Sequence, residues 1–268
     1  MLAFISQHRM FPIPRISESF IDQVALDLGW QRTTDVYMPT KGRLNADYLA
    51  PGYVIELKIL EEEALEKTER QRKISELYRE HFPESFEVDI AFESAPQSIR
   101  RELERLVSGP IQTAVKKASR QIRETVEDTG RAGDEGIIII VNNGFSYLNA
   151  EAFESLVTKR CTNDSSRIAH ACCITVEYHQ GGFDAFVFCT TRSRPIRSGT
   201  PWAHAEALRE AVQARFNDAM TIMMTDQMNP KLWSEALTPV TDIVFEADGV
   251  KYIRRAPEVP DSRVSSEI

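Results

Sequence analysis

The sequence predicts an α/β fold: a central mixed β-sheet flanked by helices, extended at the C-terminal end by a hairpin and a helix. Three observations carry that expectation. Residues 136–142 (Gly-Ile-Ile-Ile-Ile-Val-Asn) are a continuous, mostly β-branched run, the signature of a strand buried on both faces. Just before it, Ile111, Val115, Ala118 and Ile122 recur at helical spacing, which places a crossover helix ahead of that strand. Residues 45–60 hold a Pro51-Gly52 turn followed by an apolar run, the pattern of a strand hairpin.

Taken in order, residues 1–13 read as a strand or arm ended by Pro12 and Pro14. They lack the basic region and continuous apolar stretch of a signal peptide. Residues 17–28 predict a helix: Ser17 is a good N-cap, Phe20, Ile21, Val24 and Leu28 form one stripe, and Gly29 stops it. Glu18 and Asp22 share a face of that helix, being four apart. Residues 30–36 and 40–49 predict two strands with Lys41-Gly42 between them. A charged helix is expected over 61–81, opened by Glu61, Glu62 and Glu63 and closed by Pro83. The alternation Phe86, Val88, Ile90, Phe92 fits a strand or an excursion toward substrate. Residues 97–128 are helical with an interruption at Gly109-Pro110, and 150–160 form a short helix. Strands at 169–179 and 183–191 join through Gln180-Gly181-Gly182. A helix over 201–226 carries Met220, Met223 and Met224, with Met228 beyond it, a packing or self-association set. A last hairpin over 240–254 turns at Asp248-Gly249, and the polar tail from Ala256 predicts disorder. The natural division is a core over 1–160 and an extension over 161–268 packed on it as one unit.

With 268 residues the chain suffices for one large domain. A net charge of −8 argues against a protein that coats nucleic acid non-specifically, though not against one with a locally basic contact surface. Cys161, Cys172, Cys173 and Cys189 form no C-x-x-C pair, and His170 beside them lacks metal-ligand spacing, so reduced core thiols are expected. No apolar run is long enough to cross a bilayer, and a cytoplasmic location with no membrane partner is the expectation. The P-loop, dinucleotide, H-E-x-x-H and G-x-S-x-G patterns are missing, which sets those chemistries aside.

The chemistry concentrates between Asn45 and Leu60. Glu56 and Lys58 are two apart in an apolar strand and project to one face with Val54, while Ile55, Leu57 and Ile59 fill the other. Asp47 precedes the Pro51-Gly52 turn and can meet Glu56 across the hairpin. Two carboxylates and an ammonium in one small apolar volume cost several kcal/mol unless they are paired or bind something. Hard divalent cations take such oxygen ligands.

An Asp on one strand followed by Glu-x-Lys on the next resembles the PD-(D/E)xK nuclease superfamily over roughly residues 17–142. One departure is Ala46, where that family usually has proline. The resemblance implies a restriction-endonuclease-like αβββαβ core. It also implies Mg²⁺ or Mn²⁺ held by Asp47 and Glu56, with Glu18 as third ligand and Asp22 as second choice for that place. Lys58 would position a water or offset developing charge, and Gln121 with Lys117, four apart on the later helix, would assist at the phosphate. Glu61 or Glu62 could hold a metal-bound water. Independently, Lys116, Lys117, Arg120 and Arg123 make a dense basic run, and Arg192, Arg194 and Arg197 stand in a predicted Arg/Ser/Gly loop. Both suit phosphate contact. The implied activity is a Mg²⁺-dependent DNA endonuclease, a homodimer or a subunit of a larger complex, in restriction or phage defence. The competing readings are a catalytically silent nuclease-fold DNA-binding or scaffold subunit, and a regulatory protein that binds another protein.

Overall fold

The β-branched run lies in the interior of a sheet, where side chains on both faces leave water. The computed structural model describes residues 13–38, 40–61, 65, 67–90, 95–143, 148–181, 184–226, 236 and 242–255. Strands β1 (Gln31–Arg32), β2 (Tyr48–Ala50) and β3 (Tyr53–Leu60) form an antiparallel meander. β4 (Glu87–Asp89) leaves this sheet, and β5 (Glu135–Asn142) returns to lie parallel to β3. β6 (Ile168–Gly181) runs parallel to β5, and β7 (Asp184–Pro195) closes the edge antiparallel to β6. β8 (Ile243–Ala247) and β9 (Val250–Arg254) form a hairpin, and β4 pairs parallel to β9 in a second sheet of order β4-β9-β8.

Alternation along the strands builds two cores, one on each face of the large sheet. Ile138 and Ile140 of β5 and Val54 of β3 face α3 (Thr68–His81), α4 (Gln97–Val107), α5 (Gly109–Thr129), α6 (Ala150–Asp164) and the small sheet. Ile137, Ile139 and Val141 of β5 and Ile55 and Leu57 of β3 face α1 (Glu18–Asp27) and α7 (Ala205–Thr225). The mixed sheet with helices on both faces is the α/β architecture the pattern predicts. Residues on either side of position 160 share the large sheet and both cores.

The helix ends follow local chemistry. The Ser17 hydroxyl accepts from the Phe20 amide to cap α1. Pro110 sits in the first turn of α5, where its missing N–H costs nothing, and Gly130 ends the helix with φ 68°. Asp248 (φ 50°) and Gly249 (φ 79°) make the expected turn of the last hairpin.

Several expectations are corrected. The strand over 30–36 is only the two residues of β1, followed by a helical turn α2 (Thr33–Val36), because the Thr33 amide bonds to the Asp47 carbonyl and the Tyr37 amide then bonds back to Thr33. The charged helix begins at Thr68 rather than 61. Glu61 lies ahead of it and pairs with exposed Arg15 at 3.2 Å. Of the two alternatives for the Phe86, Val88, Ile90 alternation the strand is found, as β4, and it pairs in the small sheet. Arg192 and Arg194 stand in β7, not in a loop. All four cysteines are buried and free. Among the described residues, no helix is long and apolar enough to cross a membrane. Residues 1–12, Glu62, Glu63, Phe92, Gly182, Met228 and the tail from Ala256 lie outside the described residues.

Candidate active site

The β2–β3 hairpin sets the geometry. Gly52 takes φ 78° in a two-residue turn that pairs Ala50 with Tyr53 and Tyr48 with Ile55. One step beyond that register, Asp47 stands opposite Glu56. The Leu57 amide donates to Asp47 Oδ2 at 2.8 Å and fixes the carboxylate against β3. Glu56 is fully buried, flanked on β5 by its register partner Ile138 and by Ile140. Lys58 Nζ is ion-paired with Glu56 Oε1 and also donates to the Leu57 carbonyl at 3.2 Å.

Helix α5 completes the arrangement. Gln121, buried on its inner face, accepts from Lys58 Nζ at 2.9 Å through Oε1 and donates through Nε2 to the Asn45 carbonyl at 2.7 Å. The same helix takes the Ala46 amide on Thr125 Oγ1 (2.7 Å) and the Leu44 amide on Glu124 Oε2 (2.8 Å). α5 therefore clamps residues 44–46, which lead into Asp47, and the amine of Lys58 at once.

The electrostatics of this group are unbalanced. Burial, followed by the charge of Asp47, pushes the Glu56 carboxyl well above the ordinary carboxylate range despite Lys58. Burial also raises Asp47, with the Leu57 amide and Lys58 offsetting part of the rise. Glu56 Oε2 is buried without a hydrogen-bond partner, as are both side-chain polar atoms of Asn45. Each orphaned buried atom costs about 1–3 kcal/mol. Two adjacent carboxyls with one ammonium call for a shared proton or a cation.

Among the described residues no group of three or more His, Cys, Asp or Glu could hold an ion, so the protein ligands reduce to Asp47 and Glu56. Two carboxylates with an orphaned oxygen suit Mg²⁺ or Mn²⁺, which fill their remaining positions from water and phosphate. They do not suit a closed four-ligand zinc site.

Glu18 and Asp22 do not join this pair. α1 packs on the opposite face of the sheet, and both carboxylates are taken by Arg32: Glu18 at 2.6 Å, Asp22 through two bonds of 2.7 Å. Tyr48 donates its hydroxyl to Asp22 at 2.7 Å. Burial raises Asp22, but the bonds from Arg32 and Tyr48 outweigh it and hold the carboxyl below its ordinary value.

Apart from Lys117, the predicted phosphate contacts are engaged elsewhere. Lys116 pairs with Asp164 (3.7 Å), Arg120 with Glu124 (2.7 Å) and Arg123 with Glu127 (3.9 Å). Lys117 is exposed one turn before Gln121, with no ion pair among the described residues. Arg192 (3.4 Å) and Arg194 converge on Glu154, a buried carboxylate of α6. Arg197 donates to the carbonyls of Thr162 (3.0 Å) and Ser165. These three arginines stitch β7 and the residues after it to the α6 region. Asn45, conversely, touches this group through its carbonyl, which accepts from Gln121, and the sequence assigns it no role. Its type and position carry no signal, and only its two orphaned atoms mark it.

No protein-family model, no curated protein and no solved structure matches this chain.

Proposed function

We propose that the chain is a divalent-metal-dependent nuclease of the PD-(D/E)xK type that hydrolyses phosphodiester bonds in DNA. The observation that carries this reading is the meeting of Asp47, Glu56, Lys58 and Gln121 on one face of the sheet. The chain order is compatible with it: α1, the antiparallel strands β1 to β3 with α2 between the first two, a crossover through α3, β4, α4 and α5, and β5 parallel to β3 follow the order of a restriction-endonuclease-like core that carries insertions.

Asp47 and Glu56 would hold a divalent ion, and such an ion when bound would supply Lewis-acid polarisation of a phosphoryl oxygen and an acidified water. The chain supplies the rest. Asp47 and Glu56 give hard oxygen donors, held by the Leu57 amide and the apolar wall of β5. Lys58, whose N–H groups are taken by Glu56, Leu57 and Gln121, offsets charge developing on phosphate oxygens and positions a water once one of those bonds is exchanged. Gln121 keeps the amine of Lys58 from rotating away, and Asn45 offers an amide to a water or phosphate. A second copy of the chain would present a second site to the opposite strand of a duplex, and defence against foreign DNA is the role we favour.

The test is plasmid cleavage by the full chain with and without Mg²⁺, beside Glu56→Ala and Lys58→Ala. Metal-dependent cutting that both variants abolish is the expected result. Cutting that survives in the variants removes these residues from the mechanism. No cutting under any condition leaves the silent-subunit reading in its place.

A further inference from the structure

A cleft of about 280 Å³ lies between the start of α3 and the end of α4, lined by Lys67, Glu69, Arg70, Lys73, Arg105 and Leu106. Four of its six lining residues are cationic and one is acidic, in a chain whose net charge is −8. We propose that this cleft binds the phosphodiester backbone of a nucleic-acid strand, holding the substrate beside the Asp47–Glu56–Lys58 site. The proposal rests on the nuclease reading and adds to it the surface that grips the strand.

Location supports this. α3 and α4 pack on the same face of the large sheet as Val54, the face to which Glu56 and Lys58 project. Lys67 follows Lys58 by nine residues, so even a fully extended chain places it within about 30 Å. That is less than one turn of duplex, about 34 Å, and a single bound turn can touch both places.

The chemistry of the lining selects a polyanion rather than a small free anion. Lys73 and Arg105 have side chains 44% and 74% exposed, and they already touch Glu69 (2.7 Å) and Glu102 (2.9 Å). Exposed pairs of this kind are worth little and are readily exchanged. Cations so well hydrated hold a lone phosphate weakly. A phosphate chain gains from several at once by releasing condensed counterions. The basic residues that the sequence pointed to, Arg120, Arg192 and Arg194, are by contrast tied to Glu124 and Glu154, which are themselves buried.

The experiment measures binding of the full-length protein to a fluorescent DNA duplex in metal-free buffer over a salt series. Wild type is compared with Lys73→Gln/Arg105→Gln and with a control of equal charge change outside the cleft, Arg72→Gln/Arg209→Gln. The expected result for the cleft variant is an affinity lower by roughly ten-fold near 0.1 M salt and a salt slope reduced by about 0.9 per cation removed. The control stays near wild type. Cleft and control variants with equal affinity and slope overturn the proposal, and Mg²⁺-dependent cutting in that case leaves the nuclease reading standing. Binding lost only in the cleft variant, with no cutting by wild type, supports the cleft and overturns the nuclease. Absence of DNA binding by wild type overturns the cleft.

Discussion

Two charged clusters lie on opposite faces of one sheet with the same formal composition, a single cation against two carboxylates. Around Arg32 the carboxylates are Glu18 and Asp22, and around Lys58 they are Glu56 and Asp47. The difference is water. The Glu18 side chain is 60% exposed, so solvent carries the surplus charge, and Asp22 is satisfied by Arg32 and Tyr48. Glu56 is wholly buried and keeps an orphaned oxygen. Charge count therefore does not tell a cluster whose surplus charge is solvated from one that keeps it buried, the one proposed to receive a cation. Access of solvent to the surplus charge does, and the two respond oppositely to the same perturbations.

The largest separation is expected in catalysis. Lys58→Ala should cut the rate of Mg²⁺-dependent DNA cleavage by at least about 10²-fold, the usual loss when a charge-stabilising group is removed. Arg32→Met should leave the cleavage rate per folded molecule nearly unchanged. Similar losses in both variants would erase the distinction between the clusters.

Next in size is the response to metal and pH. Glu56 has a folded-state pKa above its ordinary value of 4.5, so the metal-free fold is favoured below that value and loses stability as pH rises through the folded one. Deprotonation is what a cation needs, so Mn²⁺ should raise the melting temperature more at pH 8 than at pH 5. The gain should reach about 2.7 kcal/mol at a hundred-fold excess over Kd. Glu56→Gln should stabilise the metal-free protein at pH 8 and abolish the Mn²⁺ effect. Calorimetric scans with and without Mn²⁺ measure both, and an unaltered Mn²⁺ shift in Glu56→Gln would place the ion elsewhere.

Asp22 shows the opposite sign. Its pKa is held below the ordinary 3.8, so its contribution is full above that value and disappears as pH falls through the folded one. Arg32→Met should cost about 2 kcal/mol at neutral pH through the lost charged hydrogen bonds. In a chain this long that is roughly 4–8 °C in Tm. The penalty should shrink on acidification toward pH 3. Smallest of all, Glu18→Ala should change stability by less than about 1 kcal/mol, as an exposed ion pair does. A larger loss would mean that water does not carry its charge.

Much of the site was legible because it is local. Parity along β3 put Glu56 and Lys58 together, Pro51-Gly52 brought Asp47 opposite them, and the Ile111–Val115–Ala118–Ile122 stripe turned Gln121 inward toward the sheet. Apart from the late start of α3, the failures are pairings between residues apart in sequence. Nothing near Arg192 or Arg194 shows that Glu154, about forty positions earlier, awaits them. The Phe86–Phe92 alternation gives no hint that its strand partner is β9. Helical spacing gave Glu18 and Asp22 one face without revealing on which side of the sheet that face would lie.

By itself the sequence determined periodicity, turns and caps, and through them the α/β class, the buried central strand and the trio on the β2–β3 hairpin. These depend on backbone geometry over a few residues, which side-chain type biases directly. The tertiary structure alone decided which cations are already neutralised, which carboxylates keep access to water, and where a cation-lined cleft opens between α3 and α4. Those outcomes follow from solvation and long-range contact, and no local pattern encodes either.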